Sequence, residues 1–174
     1  MKILVIYSHS YQSQSVSNRT IIDVLSRQEG YSVRNLEELY PSGKIDVQAE
    51  QAALLEADVI VLQHPLFWYN VPSLMKHWMD EVFTFGFAYG DGGDKLQGKR
   101  LVHSFTAAAS PQDFSEAMLG ASTGAIEAAC GFCGLTYSGY VHTLGLLPLT
   151  NPNCEAEAKA HAHRLMEHIR GLKG

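Results

Sequence analysis

Five short strand-like runs, separated by segments with helical periodicity, constrain this chain more than any other feature. Lys2–Tyr7 is a continuous β-branched run, the pattern of a strand buried on both faces. Tyr31–Asn35, Val59–Gln63, Arg100–Thr106 and Thr136–His142 read as the other four strands. Between them lie expected helices at about Ser17–Glu29, closed by Gly30, and at Val47–Glu56, capped by Asp46. A third begins near Pro72, with Val71, Leu74, Met75, Trp78, Met79, Val82 and Phe83 at helical spacing. Ser122–Cys133 and Glu155–Leu172 complete the set, with Ala107 to Ala121 read as loop. Such alternation specifies an α/β fold, a parallel sheet covered by helices on both faces. Right-handed crossovers leave few arrangements, and of these the order 2-1-3-4-5 is expected. All 174 residues, 46% of them hydrophobic, read as one domain, 1–174.

Charge narrows the function classes. The formal net charge is −5, and no basic stretch tracks a phosphate backbone, so nucleic acid is not expected as a partner. No apolar run is long enough to span a membrane, and the first residues lack a signal-peptide pattern. Three cysteines fit a reducing cytoplasm.

In the order 2-1-3-4-5, ligands bind beyond the carboxyl ends of strands one and three. The loops meeting there start at His9, Pro65 and Ala107. The first is rich in serine and contains no glycine. Its Ser15, Ser17 and Asn18 stand where a helix begins, and the free N–H groups of a helix start suit an anion. Ser15 or Ser17 serving only as a helix cap is the plainer alternative. Neither the G-x-G-x-x-G fingerprint nor the P-loop is present. The second loop sets three aromatics in a row, Phe67-Trp68-Tyr69, a surface suited to a flat cofactor.

These loops, with their neighbours, carry a resemblance to a known family. Its anchors are Ile6-Tyr7-Ser8-His9, Asn18, Leu39-Tyr40-Pro41, Ile45-Asp46 and Ala49-Glu50-Gln51. Gln63-His64-Pro65 with Trp68-Tyr69, then Val82-Phe83 and Gly86-Phe87-Ala88-Tyr89-Gly90, are the most specific. In these the chain resembles the NAD(P)H:quinone oxidoreductases typified by DT-diaphorase. Within them it looks closest to the ancillary flavoproteins of bacterial glutathione-regulated potassium-efflux systems. The resemblance implies a flavodoxin-like three-layer sandwich with a five-stranded parallel sheet. It implies FMN rather than FAD, with NAD(P)H as reductant and a quinone-like acceptor. The phosphate and ribityl chain would lie against His9, Ser15, Val16, Ser17 and Asn18. The ring would lie along Pro65, Leu66, Phe67, Trp68 and Tyr69, with Thr106, Ala107, Ala108 and Ala109 at its other edge. Trp68, Tyr89 and Phe114 would line the substrate pocket, Tyr89 from the partner of a homodimer. A cytoplasmic location is implied, peripheral at the inner membrane where an antiporter is the partner.

Two departures from the family pattern stand out. The family usually has Thr-Thr-Gly-Gly where this chain has Thr106-Ala107-Ala108-Ala109, and the added methyl groups predict weaker FMN binding or a flavin held differently. Phe114 falls where quinone reductases carry a tyrosine and a histidine that assist hydride transfer, so no catalytic side chain is assigned. Elsewhere, Cys130-Gly131-Phe132-Cys133 lies late on a helix, not where thiolates are activated. His161, His163 and His168 have spacings that read as a solvated helix face rather than a metal site.

Overall fold

A computed structural model describes residues 1–172. Its strands are β1 (Ile3–Tyr7), β2 (Tyr31–Asn35), β3 (Val59–Pro65), β4 (Arg100–Thr106) and β5 (Thr136–Thr143). Its helices are α1 (Ser17–Leu25), α2 (Leu36–Leu39), α3 (Val47–Glu56), α4 (Ser73–Val82), α5 (Glu116–Phe132) and α6 (Cys154–Gly171). The sheet has the order β2-β1-β3-β4-β5, with every pair parallel, as the sequence predicts.

Alternation along the strands builds two cores. Leu4, Ile6, Ile60, Leu62 and Leu101 face α3, α4 and α5, where Leu54, Trp78 and Ile126 meet them. Ile3, Val5, Val59, Val61 and Val102 face α1 and α6, against Ile21, Leu25, Leu165 and Ile169. No helix among the described residues is long and apolar enough to cross a membrane.

Several motifs of the sequence resolve into one structural knot. The Glu50 carboxylate is fully buried, yet it accepts from Arg34 Nε at 2.8 Å, from Trp78 Nε1 at 2.9 Å and from the Tyr40 hydroxyl. These bonds tie α3 to β2 and α4 and satisfy a charge that burial alone would not tolerate. The glycine loop after α4 has an equally local reason. A Cβ on Gly93 would sit 1.9 Å from the Tyr89 carbonyl oxygen, so only glycine fits.

Three boundaries differ from expectation by more than one residue. α1 stops at Leu25, four residues before Glu29, and the chain turns through Gln28 to Gly30. β3 runs on to Pro65, carrying His64 into the interior. α5 starts at Glu116 rather than Ser122, because the Ser115 hydroxyl accepts from Met118 N at 3.3 Å and caps it. His161 corrects the solvated-face reading: it is fully buried, while His163 on the same helix is exposed.

Candidate functional site

The carboxyl ends of β1, β3 and β4 converge, as the strand order requires. A pocket of about 240 Å³ opens there. It is lined by His9, Ser15, Val16, Ser17 and Asn18 from the first loop, Pro65, Leu66 and Phe67 from the second, and Thr106, Ala107 and Ala108 from the third. The structure thus brings together eleven of the residues named from sequence. Trp68, Tyr69 and Ala109 are adjacent in the chain but do not line this pocket.

The first loop fills only one of the N–H groups at the start of α1. Val16 holds the N-cap position and offers no side-chain acceptor. Ser15 Oγ accepts only from Arg19 N, at 3.3 Å. Inside the first turn, the Ser17 hydroxyl is buried with no hydrogen-bond partner. A helix start with unfilled N–H groups beside an orphaned hydroxyl is built to receive an anion. His9 flanks it. Its Nδ1 accepts from Tyr11 N at 3.1 Å, and burial lowers the imidazole below its ordinary pKa. The ring is therefore neutral near pH 7 and carries its proton on Nε2.

The second loop is a two-residue turn. Phe67 and Asn70 pair across it, and both central residues, Trp68 and Tyr69, have positive φ, 52° and 63°. Such turns prefer Asn-Gly. Here they lift Trp68 to 94% exposure, while Tyr69 packs on Phe114 at a centroid distance of 6.4 Å. Phe67 stays in the pocket wall, edge-on to His9 and Tyr11 at 6.0 and 5.9 Å.

The third loop needs no glycine in this chain. Trp68 and Tyr69 are the only non-glycine residues with positive φ among the described residues, so Ala107, Ala108 and Ala109 are unstrained. The loop is pinned from behind: Ala107 N donates to Thr143 O at 3.0 Å, Leu146 N to Ala107 O at 3.0 Å, and Gly145 N to Ala109 O at 2.7 Å. The same pinning brings Leu146, Leu147 and Pro148 into the pocket wall. Sequence reasoning passed over these three, and also Tyr11 and Gln14. Tyr11, an aromatic in a loop at a strand's carboxyl end, was the one recognisable signal.

Tyr89 lies elsewhere, in a groove of about 400 Å³ between α4 and α5 that Asn70, Phe83 and Phe132 also line. Its ring meets Phe85 at 5.9 Å and Phe132 at 5.4 Å. Within one chain, therefore, Tyr89 and Phe114 do not reach the first pocket. Cys130 is buried and its thiol is pushed up to about 12, and burial raises Cys133 as well, far from thiolate chemistry near neutral pH.

A family model described as "Flavodoxin-like fold" matches residues 1–169. A thermophilic tryptophan halogenase from Streptomycin violaceusniger is 32% identical, with a TM-score of 0.86, covering 95% of this chain and 97% of the other. General stress protein 14 from Treponema denticola, solved in complex with FMN, is 28% identical with a TM-score of 0.89, covering 99% and 100%. An NADPH-quinone reductase from P. pentosaceus, 24% identical with a TM-score of 0.80 over 94% and 97%, shares the fold. The match along residues 1–169, with the observed strand order, places the chain in the flavodoxin-like family.

Proposed function

We propose that this chain is an FMN-dependent oxidoreductase that takes hydride from NAD(P)H and delivers two electrons to a quinone. The observation that carries the reading is the orphaned Ser17 hydroxyl at a helix start with unfilled N–H groups, inside a pocket walled by Phe67. That arrangement suits one phosphate joined to a flat ring. The FMN complex of the 28% identical stress protein supports the choice of cofactor. The similarity to the halogenase chain supports the fold and the family, and the pocket's own chemistry supports the cofactor.

A bound FMN supplies the hydride and electron chemistry. The chain's residues bind and orient it. The Ser17 hydroxyl and the first N–H groups of α1 hold the phosphate, and neutral His9 offers its Nε2–H beside them. Phe67 and Leu66 give the ring an apolar wall, while Ala107 and Ala108 close the opposite edge. Trp68 and Tyr69 stand at the mouth, where a second flat molecule stacks. A homodimer fits the same reading, with the exposed rings of Phe85 and Phe132 flanking Tyr89 on the pairing face. Protein reconstituted with FMN is expected to oxidise NADH or NADPH when a quinone is supplied. Absence of turnover with both reductants would sink the proposal.

A second reading has one observation behind it. Phe114, on Tyr69, cannot donate a hydrogen bond where the resembling reductases have a tyrosine and a histidine. Slow turnover suits a regulatory subunit that docks on a potassium-efflux antiporter at the inner membrane, with flavin in a structural or sensing role. Unchanged potassium efflux in cells lacking the chain would remove this reading.

A further inference from the structure

Behind the pocket, on the α1 and α6 side of the sheet, seven polar side chains form one unbroken line. Arg164 Nη2 donates to Thr143 Oγ1 at 2.6 Å, and Thr143 Oγ1 lies 2.9 Å from His161 Nδ1. His161 Nε2 lies 2.8 Å from Ser104 Oγ, which donates to Gln63 Oε1 at 2.6 Å. Gln63 Nε2 donates to Asn18 Oδ1 at 2.9 Å, and Asn18 Nδ2 donates to Thr106 Oγ1 at 2.8 Å. From Asn18 to Ser104 and His161 every member is buried, and Arg164 is exposed. The line starts at the surface and ends on a hydroxyl that lines the pocket.

The bonds point one way. Ser104 has a single proton and gives it to Gln63, so its oxygen accepts from His161 Nε2–H. His161 Nδ1 then holds a lone pair and accepts from the Thr143 hydroxyl, whose oxygen accepts from Arg164. Burial, with the Arg164 and His142 charges adding to it, holds His161 down to about 3, so the ring carries one proton only, and with that proton on Nε2 the Nδ1 accepts. The one alternative is complete reversal, in which Thr106 donates to Asn18 and every later bond turns round. Reversal sets two donors, Arg164 and His161 Nδ1–H, on the two lone pairs of the Thr143 oxygen and leaves the Thr143 proton with no partner in the line. Accepting from a guanidinium makes the Thr143 hydroxyl a stronger donor and a weaker second acceptor, so Arg164 favours the forward direction. At the far end, Thr106 Oγ1 accepts from Asn18, and its own proton has no acceptor among the described residues.

We propose that this directed chain, set by Arg164 and His161, holds the Thr106 hydroxyl as a donor into the pocket and so selects a ligand with an acceptor atom at that edge. His161 is then a positioning residue, acting through Ser104, Gln63 and Asn18 without touching the ligand. A flavin ring presents carbonyl and imine acceptors along its polar edge. For the identity of the ligand alone, the proposal rests on the flavin reading.

The test has two arms. Nitrogen-15 NMR of the FMN-free protein reads the His161 tautomer directly. The expected result is Nε2–H with an unprotonated Nδ1, and Arg164→Leu shifts it toward Nδ1–H while Arg164→Lys does not. An Nδ1–H tautomer in the parent protein overturns the proposal. In the second arm, Ser104→Ala cuts the line while leaving every pocket-lining side chain in place. FMN affinity is expected to fall about 3- to 10-fold, the effect of one misdirected hydrogen bond. Arg164→Leu, an exposed change that spares folding, is expected to weaken FMN about 2- to 5-fold, and Arg164→Lys restores it. Affinity unchanged in both variants overturns the proposal. If the parent protein binds no FMN, the flavin reading falls, and the tautomer measurement still decides the direction of the chain.

Discussion

Phe67 and Asn70 exchange both backbone hydrogen bonds, each N–H donating to the other's carbonyl at 3.0 Å. Two residues between them must close the turn, and both lie in the left-handed region. For side chains as large as Trp68 and Tyr69 this conformation costs about 1–2 kcal/mol per residue. This strained turn follows Phe67 of the pocket wall, and under the proposed function it is kept for ligand contact rather than stability. Replacing either residue with glycine is expected to raise the unfolding free energy by about 1 kcal/mol in denaturant titration. Alanine brings no such gain, because its Cβ meets the same backbone penalty. Trp68→Gly is also expected to raise KM for the quinone. A glycine variant no more stable than the parent would show that the turn is not strained.

Ser17 gives a prediction of opposite signs in two states. Its buried hydroxyl lacks a partner, so it is a liability in the free protein. Ser17→Ala is expected to stabilise the FMN-free protein by about 1 kcal/mol. The same change is expected to weaken FMN about tenfold, reducing the shift in Tm on adding FMN. A variant that binds FMN as well as the parent would remove Ser17 from the phosphate site.

The Arg34–Glu50 pair predicts stability without function. Arg34→Met leaves a fully buried carboxylate with only the Tyr40 and Trp78 donors. The expected cost is about 3 kcal/mol, the low end for breaking a buried pair, because Arg34 retains 24% exposure. Urea unfolding checks it, and FMN affinity per folded molecule should not change. A loss below about 1 kcal/mol would class this pair with surface ion pairs.

Buried histidines set the acid limit. His64 is held down to about 4, His161 to about 3 and His103 well below its ordinary value, each chiefly by burial. His64 and His103 also share one hydrogen bond, Nε2 to Nε2 at 2.8 Å. All three are neutral when folded and take up protons near pH 6.5 when unfolded. Lower folded pKa values mean the unfolded state binds more protons between these limits, so stability rises with pH there. Stability is expected to be level above about pH 7. Below about 6.5 each histidine takes away up to about 1.4 kcal/mol per pH unit, until its folded value is reached. His161→Gln should flatten the slope between pH 4 and 6 by about one proton in denaturant titrations. An unchanged slope would mean that His161 is already protonated in the fold.

Much of this was legible in the sequence, for physical reasons. Strands buried on both faces must be apolar at every position, so Ile3–Tyr7 and Val59–Leu62 announce themselves, and crossover chirality leaves few strand orders to choose among. The pocket was found because strand order fixes which loops meet. Local pattern hid the rest. Leu146, Leu147 and Pro148 reach the pocket through backbone bonds to Ala107 and Ala109, and backbone bonding carries no side-chain signature. His161 read as solvent-facing because its spacing to His163 and His168 pairs no imidazoles, while the partners that bury it, Ser104 and Thr143, come from β4 and β5. Geometry answers the backbone part of the alanine expectation, since Ala107, Ala108 and Ala109 have no positive φ. The left-handed residues are Trp68 and Tyr69, whose side chains gave no hint of it.

The pinning of Ala107 and Ala109 by Thr143, Gly145 and Leu146 carries a consequence for how the molecule is made. One wall of the pocket comes from residues 9–18, while the backing of the opposite wall arrives only at residues 143–148. A nascent chain emerging from a ribosome has the first wall early and lacks the second until most of its length is out. Under the proposed function ligand capture is thus a late event in biosynthesis, and a polypeptide ending before Thr143 would have half a pocket with nothing to hold its third loop in place.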